Sequence, residues 1–342
     1  MNCFRENKYF FLLFILLSFC FLKEIVFSEG NEIIPETPLG LDDVPIPEKN
    51  IITRDKYELG KMLFFEKRLS LDSTVSCASC HNPKYGFSNN RQYGIGIGGK
   101  LGNKNVPTII NAAYNDFQFW NGRVRSLEEQ AKSPLLKKTE MGANLIEVLK
   151  FLKKTLKYKN KFEIAFGKIP ITLELIVSAI ASYERTILSG SSPFDYWKYA
   201  GKKTAISKEA KTGFVIFKKK GKCVKCHLVD EFSAPFTDNQ FHNLGIGLDK
   251  GKREIGRQAV TGKKFDMGKF KTPTLRNISQ TAPYMHDGRF KTLREVIDFY
   301  VQGGIKNPNL DPDIGKINLT EKEKLNLEIF LRTLDGKILK IK

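Results

Sequence analysis

Two short stretches constrain this 342-residue chain more than any others: Cys77-Ala-Ser-Cys80-His81 and Cys223-Val-Lys-Cys226-His227. Both are C-x-x-C-H. That spacing lets about one turn of helix present two thiols to the vinyl groups of a haem, while the adjacent histidine reaches the iron. Zinc held by two C-x-x-C pairs usually has them ~15–20 residues apart, and these pairs stand in opposite halves of the chain. A thioredoxin-like pair would explain one motif without requiring a histidine after both. Two disulfides would suit an exported chain, but they too leave the histidines unexplained. The motifs therefore imply two covalently bound c-type haems, with His81 on the first iron and His227 on the second.

The N-terminus reads as a signal peptide over residues 1–28. Its apolar run from Phe10 to Leu22 follows Arg5 and Lys8, and at ~13 residues it is short of the ~20 that span a bilayer. Val26 and Ser28 offer small residues for a cut after Ser28. A lipid anchor at Cys20 is the second choice, because the preceding Phe19 is a poor fit to the small residue wanted there. The expectation is an exported, periplasmic protein with no stable membrane span. Cys3 and Cys20 leave with the signal, so the haem motifs hold all the remaining cysteines.

The formal charge is +19, from 56 basic and 37 acidic side chains. The basic residues are mostly lysines spread along the chain, without an arginine-rich run or interleaved aromatics. That pattern disfavours nucleic acid and suits a solvated surface with a preference for acidic partners.

Helical patterns run over Leu59–Leu69, Leu145–Leu156, Leu173–Leu188 and Lys208–Lys220. A last helix opens on the capping box Thr320-Glu-Lys-Glu323. Sustained period-2 alternation is missing. The fold class expected is all-α: two cytochrome c-type domains, each with one haem, over residues 29–190 and 191–342, with a linker near Ser189-Gly-Ser-Ser-Pro193. Gly94-Ile-Gly-Ile-Gly-Gly99 matches G-x-G-x-x-G, but it lacks the strand before and the helix after that a dinucleotide site needs. It reads as a flexible loop closing over a haem edge.

Axial ligands decide what a haem does: two strong protein ligands favour electron transfer, whereas an open face permits peroxide chemistry. Besides His81 and His227 the chain has only His242 and His286, both in the second half. Met62 and Met141 are the only mature methionines in the first half. Counting alone favours an open first haem.

From Leu59 onward the sequence resembles the bacterial di-haem cytochrome c peroxidases and their relative MauG. The stretches that carry the likeness are LGKMLFFEKRLS, VSCASCHNPKYGFS, NVPTIINAAYNDFQFWNGR, LEEQAKSPL with EMG, KTPTLRNISQTAPYMHDGRFKTL and FLRTLDG. The resemblance implies an electron relay at Trp120, between the haems, and the polar pair Gln130 and Glu140 over the peroxidatic haem. Glu140 would move a proton from the near to the leaving peroxide oxygen; without the family pattern it is not separable from Glu128 or Glu129. The resemblance also implies a calcium ion between the domains, held by Asn105 and the backbones of Thr281 and Pro283, and a place for His286 near a haem propionate.

Two departures mark a MauG-like branch. Where the typical peroxidase has a histidine that caps the first haem, this chain has Ile97. Where the second haem takes a methionine, it has Tyr300, with Met285 or Met267 as the competing ligands. His242 is open as a fallback ligand or an outer contact. Three functions follow as expectations. In the first, hydrogen peroxide is reduced at the open N-terminal haem while the C-terminal His/Tyr haem relays or stores oxidising equivalents. An ordinary cytochrome c peroxidase with a small redox-protein donor is the second, and a non-enzymatic electron carrier or sensor the third. The partner would be a redox-protein donor or a protein substrate, either of them acidic. No tryptophan precedes the second motif, where Gly221-Lys222 stands, and the only other one is Trp197.

Overall fold

A computed structural model describes residues 32–249, 254–339 and 341. The apolar segment at 10–22, Cys20 and the cleavage position after residue 28 lie outside the described residues. The helices are α1 (Arg54–Phe65), α2 (Cys77–Cys80), α3 (Leu127–Leu136), α4 (Leu145–Lys154), α5 (Leu156–Phe166), α6 (Leu173–Glu184), α7 (Pro193–Lys198), α8 (Lys208–Lys218), α9 (Gln258–Thr261), α10 (Leu293–Gln302) and α11 (Glu321–Arg332). Strand structure among the described residues is confined to two short antiparallel pairs. β1 (Ser189–Gly190) pairs with β4 (Lys337–Ile338), and β2 (Phe241–Asn243) with β3 (Lys269–Lys271). No described helix is long and apolar enough to cross a membrane.

Each half is built on a crossed pair of helices meeting at a glycine. In the first half α1 lies on α6. Thr53 caps α1 by accepting from the Lys56 amide, and Leu59 and Leu63, one turn apart, are fully buried. Burying such a leucine contributes roughly 1.5–3 kcal/mol. At Gly60 an added Cβ would stand 1.8 Å from the Ala179 carbonyl oxygen, so Gly60→Ala forces the pair apart. The second half repeats the device with α8 on α11, where a Cβ on Gly213 would stand 2.0 Å from the Asn326 carbonyl oxygen. One hydrophobic core draws on residues 59–187 and another on residues 194–334. β1 lies between the two cores in sequence, and β4, beyond the second, pairs with it and returns the C-terminal segment to the junction.

Most helix ends differ from the pattern-based expectation for local reasons. α1 starts five residues before Leu59 and stops at Phe65, because Glu66 is extended and accepts from the Arg68 amide instead. The segment over 145–166 breaks at Thr155, whose extended backbone separates α4 from α5. α6 ends at Glu184, and the β-branched Thr186 and Ile187 continue only in tighter bonds to the residues three back. α8 closes at Lys218 because the backbone of Lys219 turns out of the helix. The capping box at Thr320 and Glu323 opens α11 as its spacing predicts.

Candidate functional site

Both C-x-x-C-H motifs are held by local hydrogen bonds. Ser76 caps α2 in a reciprocal box with Ser79, and the His81 amide donates to the Cys77 carbonyl at 2.8 Å. The second motif is a 3₁₀ turn over Cys223–Lys225, entered through Lys222 in left-handed backbone, and the His227 amide donates to Cys223 at 2.9 Å. None of these four cysteines is in a disulfide. Burial pushes the Cys223 thiol up to about 12 and Cys77 higher still.

The histidine rings are oriented alike. His81 Nδ1 lies 3.2 Å from the Phe87 carbonyl oxygen, and His227 Nδ1 lies 2.8 Å from that of Phe236. A carbonyl can only accept, so each Nδ1 carries the proton and each Nε2 keeps its lone pair. Burial lowers both rings from the usual range, favouring the neutral form that binds iron.

Both histidines and all four cysteines line one continuous cavity of about 1030 Å³. Single small-molecule pockets run to roughly 1,000 Å³ at most. A space of this size, with one thiol pair and one imidazole lone pair at each of two places, fits two covalently attached haems.

The remaining sequence-selected residues mostly meet this cavity. At its N-terminal end the wall includes Gln130, Glu140, Met141, Ile95 and Gly96. Lys137 Nζ donates to Glu140 Oε1 at 2.7 Å. The structure separates Glu140 from its two sequence rivals. Glu128 is committed to a two-pronged ion pair with Arg185 at 2.8 Å, and Glu129 closes the capping box of α3 with Ser126. The glycine-rich segment is pinned, contrary to the flexible loop expected. The Ile97 amide donates to the Glu140 carbonyl at 2.8 Å, the Gly98 amide reaches Asp72, and Ile97 itself is 5% exposed. Gly96 has no room for a Cβ, which would meet Thr139 at 2.1 Å.

At the C-terminal end Tyr300, on α10, lines the cavity with His227. Burial holds its hydroxyl well above the usual phenol range. Met285 also lines the cavity, whereas Met267 and Met62 are not among its wall residues. His242 offers no nitrogen to iron. Its Nδ1–H donates to Asp311 at 2.6 Å and its Nε2–H to Asp238 at 2.8 Å. The two carboxylates, Asp238 first, hold the ring well above its usual range.

The chain repeats itself around these walls. Pro107-Thr108 to Asn111 matches Pro273-Thr274 to Asn277, and both asparagines have left-handed backbone. At the same register the bridge Gln118–Val124 matches Tyr284–Phe290, and the box Ser126/Glu129 matches Thr292/Glu295. Trp120 then falls opposite His286, and Tyr300 opposite Pro134, a cavity residue with no donor atom for iron.

Trp120 and His286 are neighbours, with ring centroids 6.3 Å apart, and His286 stacks on Phe270 at 3.5 Å. Trp120 Nε1 donates to the Asn105 carbonyl at 2.9 Å, and the Asn105 amide donates to the His286 carbonyl at 2.8 Å. Asn105, Thr281 and Pro283 all line the cavity, and Pro283 follows a cis peptide bond.

Three further wall residues escape sequence reasoning. Burial lowers the Lys271 ammonium to about 8 against the pull of Asp238 and Asp116, and its Nζ donates to the Thr272 carbonyl at 3.0 Å and to Asn115 at 3.5 Å. Arg123 lies over the Phe119 ring at 3.2 Å. Glu184 is 3% exposed with Oε2 unpartnered, and burial pushes it up to about 8 against the pull of Arg185. The repeated N-G-R and D-G-R triplets at 121–123 and 287–289 could have flagged Arg123; the other two have no sequence signal.

A family model described as di-haem cytochrome c peroxidase matches residues 54–204. The methylamine utilization protein MauG of Methylorubrum extorquens is 38% identical over 86% of this chain and 82% of its own length. The cytochrome c551 peroxidase of Nitrosomonas europaea is 35% identical over 82% and 80% respectively. A solved MauG-like protein associated with microbial copper homeostasis superposes with a TM-score of 0.79 at 33% identity, covering 88% of this chain and 95% of that one.

Proposed function

The chain belongs to the di-haem cytochrome c peroxidase family, oxidoreductases that act on peroxide, and from that premise we propose that it reduces hydrogen peroxide at an open haem on His81, with a second haem on His227 and Tyr300 relaying or storing oxidising equivalents. Attached at the two motifs, the haems supply the redox-active iron of the reaction. Everything else falls to the chain's own side chains. Gln130 holds peroxide through its amide. Glu140 takes a proton from the near oxygen and returns it to the leaving one, with Lys137 fixing the carboxylate at 2.7 Å. Ile97 stands where the typical peroxidase has its capping histidine and Pro134 at the repeat counterpart of Tyr300, and neither has a donor atom. Trp120 bridges the two ends of the cavity. Tyr300 offers a hard oxygen to the second iron, which favours its higher oxidation states.

The observation that carries this reading is the matched pair of histidines, each presenting only Nε2 to one cavity that holds Glu140 and Gln130 at one end and Tyr300 at the other. Calcium would bind Asn105 with the Thr281 and Pro283 carbonyls, oxygen donors that suit a hard cation. Export to the periplasm through residues 1–28 belongs to the same reading. Glu140→Gln in the holoprotein is the test. Proton transfer by a placed side chain is worth about 10²–10⁴-fold, so the reaction with peroxide should slow by at least ~10²-fold while the resting spectrum stays the same. An unchanged rate would contradict the role.

A further inference from the structure

Helices α4 and α5 carry aliphatic side chains on the side that should be polar. Each turns its inner face to the segment that follows α1. Arg68 lies over the Phe151 ring of α4 at 4.2 Å, and the Tyr158 hydroxyl of α5 donates to Glu66 at 2.7 Å. Phe151 and Tyr158 also meet edge to face. With this shared support beneath them, the two helices present their outer faces on the same side of the molecule. Val148 and Leu152 on α4, with Tyr158 and Phe162 on α5, fill the inner positions at helical spacing. Ile146 does not belong to that set: it is 76% exposed and lines a shallow groove with Lys150, Lys153 and Lys154. On α5, Leu156 and Ile164 are 69% and 61% exposed, and Ile169 just beyond the helix is 53% exposed. Exposed aliphatics scattered singly are ordinary, but these four fall within residues 146–169 with lysines between them. Lys150 pairs with Glu147 at 3.5 Å and Lys159 with Glu163 at 4.0 Å. Among the described residues, Lys153, Lys154, Lys157, Lys161 and Lys168 have no ion-pair partner, which leaves the face strongly positive. None of residues 144–170 lines the haem cavity, so a partner held here leaves the cavity wall untouched.

We propose that the outer face of α4 and α5, with Lys168 and Ile169, is a docking surface for a bilayer that contains anionic phospholipid. Two features together select this occupant. Phosphate headgroups match the unpaired ammonium groups, and the branched side chains between them reach the acyl boundary just below, as in helices that lie in a membrane interface. An acidic protein would satisfy the lysines, but it would need a separate pocket for each protruding aliphatic. A bilayer offers apolar depth everywhere beneath its headgroups. A second copy of the same face is opposed by like charge. The contact is peripheral, since no described helix is long and apolar enough to span a membrane. It is also independent of the peroxide reaction, because it uses no residue of the cavity wall.

The test uses the holoprotein and sucrose-loaded vesicles, made of phosphatidylcholine alone or with about one part in three phosphatidylglycerol, with binding scored by cosedimentation. The wild type should bind the anionic vesicles at least about tenfold more tightly than the neutral ones, and rising salt should weaken that binding. Lys153→Glu with Lys154→Glu should lower the affinity by about tenfold or more at low salt. Ile146→Ser with Leu156→Ser keeps the charge and should lower it about threefold or more at every salt concentration, through lost apolar burial. All four side chains are exposed, and an unchanged haem spectrum in each variant shows that it is folded. Lys218→Glu with Lys219→Glu, the same charge change on exposed residues of the other half, should leave binding within about twofold. Equal weakening by the two reversed pairs would reduce the effect to overall charge and overturn the proposal. Equal binding to both kinds of vesicle would overturn it too, and so would binding to neither. Capture of polyglutamate in place of vesicles, lost in Lys153→Glu with Lys154→Glu, would give the face to an acidic protein instead.

Discussion

His227 Nδ1 lies 2.8 Å from the carbonyl oxygen of Phe236, and Phe236 presents that oxygen with its backbone in the left-handed region at φ 52°. Phe87, which does the same for His81, has φ 53°. A bulky residue in this conformation costs about 1–3 kcal/mol, so each haem-bearing half spends backbone strain on aiming its histidine.

The ring of Phe236 offsets that strain. It is fully buried and packs against Phe194, Phe217 and Phe330. Phe236→Gly relieves the backbone by a net of about 1 kcal/mol, since glycine's greater freedom in the unfolded chain offsets part of the gain, but deletes a core aromatic, worth about 3–5 kcal/mol. The packing loss wins. Chemical denaturation should show a net destabilisation of roughly 2–4 kcal/mol; a stabilised variant would mean that the strain dominates.

Tyr300→Phe keeps the ring in the cavity wall and removes its oxygen. Electron paramagnetic resonance of the ferric protein should then show one haem passing from six- to five-coordinate, the other unaffected. Tyr300→Met should raise the potential of that same haem, since thioether ligation favours the reduced iron relative to phenolate. Unchanged spectra in both variants would return the ligand role to Met285.

Met141 is the one methionine of the first half in the cavity wall, buried at 4% exposure. Met141→Leu is close to volume-conserving and should cost less than about 1.5 kcal/mol. The open-site account expects the N-terminal haem's spin state to be the same in the variant. A conversion from low to high spin would make Met141 an axial ligand and favour an electron carrier.

Glu184 gives a pH dependence with a definite sign. Its folded pKa is about 8 against 4.5 unfolded, so the folded state holds a proton that the unfolded state has released. The contribution is fully present below about pH 4.5 and is lost as pH rises through 8. Glu184→Gln keeps the neutral shape. Compared with the variant, the wild type should lose on the order of 2–4 kcal/mol between pH 5 and 9, read by denaturation at each pH. Parallel pH profiles would mean that Glu184 finds a partner or water.

These residues also mark where reading the sequence stops. The two motifs that meet the cavity were legible because C-x-x-C-H is a local pattern whose chemistry fixes its spacing, and the capping box of α11 was legible for the same reason. Tyr300 and Ile97 stand out from their neighbours in the sequence only against a family pattern. Among Glu128, Glu129 and Glu140 the sequence offers no choice, because what separates them is Arg185 and Ser126, brought up by the fold. His242 needed Asp238 and Asp311 on the page before its two nitrogens were accounted for. Glu184 and Lys271 acquire their character from burial alone, and burial of a single charged residue leaves no trace in a periodicity. The flexible reading of residues 94–99 missed the Ile97–Glu140 bond for a like reason: glycine permits mobility, and the neighbours decide whether it is used.

The central claim is an N-terminal haem open to peroxide while both irons are ferric. It is tested most directly by mixing the fully ferric holoprotein with one equivalent of hydrogen peroxide, without donor, and recording visible and near-infrared spectra on the stopped-flow timescale. The account predicts rapid loss of the ferric bands and a new near-infrared band from two coupled haems. A silent spectrum that responds only after one-electron reduction would contradict it, placing an unrecognised cap on the first haem.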